Sequence, residues 1–273
     1  MSPTAIALLA AASQAISAVV TKGLVGVYPP RQLIGPLLAL NALLVAPFLL
    51  FTHWHVSPAI VLIQLLSVAA LVASSWSVFE LFVHGSASAV SVGQAMAPIP
   101  AVLFTALLLS TPVTGTQAVA AVIVTIAVLA AVGSSFGELR AHHAIGLVAF
   151  AATASGLLVV LTKMLTDRGL GVAEIYCVRT SIGAAVWFAL AFPHDIPRRA
   201  VPNLFTRASF QTGYFALIIL AVQRGSPVTV QTAAATTPLM LVVGTFLVRR
   251  HGLPLRLVFA SCAVVVGVAL TAR

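Results

Sequence analysis

Residues His84–Pro98 read HGSASAVSVGQAMAP, and residues Arg224–Pro238, 140 positions later, read RGSPVTVQTAAATTP. Each stretch opens on a Gly-Ser pair, which punctuates helical runs. Each then runs through small residues to a proline in register with the other. Looser echoes link Thr21-Lys22 to Thr162-Lys163, and Ala5-Ile6-Ala7-Leu8 to Ala144-Ile145-Gly146-Leu147. A period of half the chain is too long for a solenoid repeat and indicates a duplicated unit. The two units are read as residues 1–137 and 138–273.

Composition identifies the solvent. Hydrophobic residues make up 60% of the chain and charged residues 7%, with a mean hydropathy of +1.12. Soluble domains carry about 25% charged residues, so most of this surface must face lipid. The net charge of +9 is dispersed over loops and helix ends, with no basic run or aromatic-interleaved patch. Nucleic-acid binding is therefore not expected, and Lys and Arg are read as orienting helices against anionic headgroups. Cys177 and Cys262 sit singly in apolar runs, which argues for packing rather than a disulfide or metal site. The first apolar run lacks a basic leader and is read as a membrane helix rather than a cleaved signal.

Apolar runs long enough to span a bilayer recur at residues 5–20, 33–51, 59–83, 86–109, 117–132, 144–165, 173–192, 204–222, 227–248 and 255–270. The expected fold is an all-α integral membrane protein with about ten transmembrane helices, five per half. Five crossings reverse the chain, so the second half enters the membrane upside down, giving an inverted repeat with a site between the halves. Loops on one side hold Lys22, Arg31, Arg140, Arg198, Arg199, Arg207, Arg249, Arg250 and Arg256, and the other side holds Lys163, Arg168, Arg224 and Arg273. By the positive-inside rule, that count puts both termini outside.

With these features the chain resembles the drug/metabolite transporter superfamily in its EamA-like ten-helix form. The resemblance rests on the paired segments ending at Pro98 and Pro238, and on basic residues at Lys163 and Arg179. The Gly-Glu pair frequent after the fourth helix of that family's repeats is replaced by Ser110-Thr111-Pro112 and Arg249-Arg250-His251. The resemblance implies a secondary transporter of a small organic solute, a metabolite, amino acid or drug-like compound, acting as an exporter in the cell membrane. It also implies both termini in the cytoplasm, opposite to the charge count. A lipid-linked flippase or a magnesium transporter of the same superfamily is the alternative. The expected partners are a small-molecule substrate and membrane lipid, with the protein a monomer or homodimer.

A proline within a helix frees the carbonyl four residues back, here that of Gln94 and of Ala234. Ser91, Gln94 and Pro98 share one helix face, as do Gln231, Ala234 and Pro238. In lipid such faces need protein or cavity water, so Gln94, Pro98, Gln231 and Pro238 are read as lining a polar cavity. Arg179, inside the seventh span, is the candidate anchor for a carboxylate, phosphate or zwitterion. Asn41, Trp76, Gln211 and Tyr214 complete the candidate substrate site. Trp76, Glu80 and His84 lie at i, i+4 and i+8, and Glu80 with His84 could relay protons. His53-Trp54-His55 and His142-His143 lack a carboxylate cluster, so no metal is expected. The absence of a P-loop or dinucleotide fingerprint argues against an ATP-driven pump or a cofactor, and no nucleophile–base set suggests an enzyme.

Overall fold

The computed structural model describes residues 1–52, 54–84, 90, 95–109, 112–132, 142–194, 196–241, 243 and 255–271. Every regular element among them is helical. In chain order the α-helices are α1 (Pro3–Val25), α2 (Pro30–Val45), α3 (Pro58–His84), α4 (Pro98–Leu108) and α5 (Gly115–Val132). The second half contributes α6 (His142–Thr166), α7 (Val172–Leu190), α8 (Val201–Arg224), α9 (Pro227–Ala234) and α10 (Leu255–Thr271). Among the described residues, six helices are long and apolar enough to cross a membrane: α1, α2 with its 3₁₀ extension, α3, α6, α7 and α8.

Local sequence sets these boundaries. Ser2 caps α1 by accepting from the Ala5 N–H, with Pro3 in the first turn. Ser226 and Pro227 open α9 in the same way, which explains the Gly-Ser signature. The side chain of Glu174 reaches back to the Gly171 N–H at the start of α7, where a carboxylate also complements the helix dipole. At the end of α6, Gly169 takes φ 86° and the Leu170 N–H closes on the Leu165 carbonyl. This left-handed stop is open to glycine at little cost.

Both prolines mark a discontinuity. Ala95 is helical, Met96 and Ala97 form a turn, and α4 begins at Pro98. Helix α9 ends at Ala234, Ala235 and Thr236 form a turn, and helix resumes at Thr237. The Ala234 carbonyl that Pro238 deprives of a donor accepts the Thr237 hydroxyl at 2.8 Å. Thr236 serves Ala233 at 2.8 Å, and Thr125 on α5 serves Ala95 at 3.2 Å. Protein hydroxyls thus supply what water cannot in an apolar interior.

The helices pack mainly across the halves. α1 runs along α8 and α3 along α6, while α2 pairs with α7 and α5 with α10. α1 also touches α9 as α6 touches α4, and α2 touches α8 as α7 touches α3. Exchanging the halves therefore maps each of these contacts onto itself or onto another one, as an approximate two-fold axis requires. Backbone meets backbone at Gly156 on α6, where a Cβ would lie 2.8 Å from the Ala101 nitrogen and 2.9 Å from the Ala97 carbonyl oxygen at the start of α4. Small residues let membrane helices meet at backbone distance. Leu62, Leu65 and Leu66 on α3, with Val122 and Ile126 on α5, are exposed, as faces turned to lipid should be.

Candidate functional site

A cavity of about 810 Å3, including the part open to solvent, lies between the halves. Helices α1, α2, α3, α6, α7, α8 and α9 all contribute to it. Its walls repeat. Gln14 and Ser155 are 141 positions apart, while Ser74 and Tyr214, and Val78 and Ile218, are 140 apart, and all line it. The approximate two-fold axis therefore passes through this space.

Asn41, Arg179, Gln211, Tyr214 and Gln231 come together here from four helices, α2, α7, α8 and α9. Gln14 joins them. The Gln14 Oε1, Asn41 Nδ2 and Gln231 Oε1 atoms are buried and have no hydrogen-bond partner among the described residues. Each such atom left unpaired costs about 1–3 kcal/mol, so this group is suited to a polar guest or to bound water. Asn41 otherwise accepts from the Thr212 hydroxyl at 3.3 Å, and Gln211 accepts from Ser17 at 2.9 Å.

Two guanidinium groups face the same cavity. Arg179, 1% exposed, donates through Nε to Ser67 and through Nη2 to Thr162, both at 3.1 Å. Arg207, 8% exposed, donates through Nε to Thr21 at 3.2 Å and stands 5.6 Å over the Phe79 ring. Thr21 and Thr162 are the echoed threonines of the two halves. Each turns its hydroxyl back onto the carbonyl four residues earlier, at 2.7 Å, and offers its lone pair to an arginine. Ser67, which holds Arg179, lies 140 positions before Arg207. The same locus in each half thus holds one guanidinium, supplied by α7 in one case and by α8 in the other. A second, narrower cavity lined by Ser17, Thr21, Phe82 and Val90 continues from Gln14, Arg207 and Gln211.

Other sequence candidates stand elsewhere. Trp76, 37% exposed, meets Phe150 edge-on at 6.3 Å between centroids, outside the cavity lining. Pro98 and Pro238 break their helices but are not among its lining residues. Glu80 pairs with Arg31 at 3.0 Å at an exposed end of α3, rather than facing the cavity. Gln94, Ser91 and the His84 side chain lie outside the described residues. Arg207 is the residue missed by sequence reading, which counts it among the loop charges. The structure places it inside α8, because the loop ends at a 3₁₀ turn, Arg198–Ala200, and helix begins at Val201. Pro202 in the first helical turn is the signal that could have moved that boundary. The correction removes one positive charge from the side favoured as cytoplasmic.

A duplicated all-helical bundle with membrane-spanning helices and a polar cavity between its halves defines a membrane-transporter scaffold. The EamA-like transporter family model matches residues 2–133 and again residues 142–273, and the chain belongs to that family. It is accordingly a multi-pass membrane transporter of the drug/metabolite transporter superfamily. The fold is similar to a solved structure titled only "Crystal structure of protein". The TM-score is 0.75 at 14% identity, covering 98% of this chain and 94% of that one. No curated protein gives a match.

Proposed function

We propose that the chain is a secondary transporter that moves a small organic solute out of the cell by alternating access, with the central cavity as its site. The halves 1–137 and 138–273 act as inverted repeats that rock about the cavity. The observation that carries this reading is the wall itself: equivalent positions of the two halves line one polar space in which the Gln14 Oε1, Asn41 Nδ2 and Gln231 Oε1 atoms have no partner among the described residues. A site on the axis between two similar halves can be offered to either side by a modest change in their packing. The reading places the protein in the cell membrane, as a monomer or homodimer. Two buried guanidinium groups weigh against a magnesium route, since a divalent cation would be repelled where it should be coordinated.

Site-directed labelling tests this. In a background with Cys177→Ala and Cys262→Ser, Ser155→Cys should react with a membrane-impermeant maleimide added from either face of the membrane. Proteoliposomes should take up solute, and Asn41→Leu or Gln231→Leu should cut that uptake at least about tenfold while the protein stays folded. Labelling from one face only would refute alternating access at this cavity.

A further inference from the structure

We propose that the solute is an organic anion with two negative charges, held between Arg179 and Arg207. This deepens the transport reading above and rests on it. The whole chain contains five acids. Three are described, and each is committed elsewhere: Glu80 to Arg31, Asp167 to Lys163 at 2.8 Å, and Glu174 to the start of α7. The other two, Glu138 and Asp195, lie outside the described residues. Among the described residues no carboxylate faces either cavity arginine.

Hydroxyls can orient a guanidinium, but they cannot neutralise it. A buried charge without a counter-charge is expensive, the more so at membrane depth. Arg207 binds its threonine through Nε alone, which leaves its terminal N–H groups for a guest. The planar fork of terminal N–H groups matches a carboxylate or a phosphate. The two guanidinium groups are anchored at Thr162 and Thr21, positions that exchange when the halves exchange, so they stand on either side of the axis. A solute bridging them needs negative charge toward each. Gln14, Asn41 and Gln231 then supply neutral hydrogen bonds along its body. Dicarboxylates and organophosphates share this chemistry.

The test uses purified full-length protein in detergent at fixed ionic strength. Succinate and glycerol 3-phosphate should each raise the unfolding midpoint, since a ligand of the folded state stabilises it. Their uncharged counterparts, succinamide and glycerol, should not, and acetate should do so far less. The stronger of the two dianions distinguishes a dicarboxylate from a phosphate ester. In proteoliposomes the same dianions should show saturable uptake. Arg179→Gln and Arg207→Gln should each raise the half-saturating concentration about tenfold or more, with Arg→Lys recovering part of the loss. Unliganded midpoints of the variants separate lost binding from lost folding, and the comparison of succinate with succinamide needs no variant. Uptake of neutral, zwitterionic or cationic probes such as glycerol, alanine or putrescine, with none for the dianions, would overturn the anion assignment and leave the transport reading standing. Acetate acting as strongly as the dianions would also overturn it. No uptake and no stabilisation with any probe would overturn both.

Discussion

Replacing Thr162 by valine keeps the side chain's volume and removes one oxygen. Thr21, Thr153 and Thr162 are among the threonines that bond back to the carbonyl four residues earlier, at 2.7, 2.8 and 2.7 Å. Only Thr21 and Thr162 also accept from a buried arginine. Thr153 and Thr162 stand on the same helix, so Thr153→Val controls for the lost back-bond and for helix propensity. Back-bonding hydroxyls contribute little to helix stability, so Thr153→Val should change stability by less than about 0.5 kcal/mol. Thr162→Val removes a hydrogen bond from a charged donor, worth about 1.5–3 kcal/mol, and Thr21→Val does the same for Arg207. For a chain of this size, each kcal/mol shifts the midpoint by about 2–4 °C. The expected drops are therefore about 3–12 °C for Thr21→Val and Thr162→Val, against about 2 °C or less for the control. Intrinsic tryptophan fluorescence during thermal unfolding in detergent measures this. Equal midpoints for Thr162→Val and Thr153→Val would show that the threonine does not hold Arg179, and the paired-arginine description of the cavity would fail with it.

Two further expectations concern the frame. Gly156→Ala and Gly146→Ala on α6 gain similar helix propensity, about 0.5–1 kcal/mol. Yet the new methyl at 156 meets backbone at 2.8 Å while that at 146 meets nothing within 4 Å. Gly156→Ala should be less stable than Gly146→Ala by about 1–3 kcal/mol, and denaturant titration with Gly156→Ala the more stable would contradict the close approach. Glu80→Gln removes an ion pair with its arginine 65% exposed, where such pairs contribute about 0–1 kcal/mol at most. Uptake by Glu80→Gln proteoliposomes should stay within about twofold of wild type; abolition of proton-driven uptake with folding intact would instead restore Glu80 as a coupling group.

Lipid as the solvent follows from 7% charge and 60% hydrophobic residues before any helix is placed. The duplication and the two helix breaks are legible as well, because proline and Gly-Ser act on the backbone locally and the same grammar appears in both halves. The paired threonines at 21 and 162 are visible as an echo. What they do is not, since their arginines come from different helices of the second half and share no repeat position.

Only packing across the halves decides that Arg179 and Arg207 face one space and that Trp76 turns away from it, whereas the hold of Arg31 on Glu80 is set by α2 against α3 within the first half. The two facts about the cavity depend on which helix of the other half lies alongside, and on a helix start six residues before Arg207. Local propensity determines where a helix starts and what it can dissolve in. The rotation of its faces toward a neighbour is set by steric fit at points such as Gly156, and that fit exists only once both halves are in place.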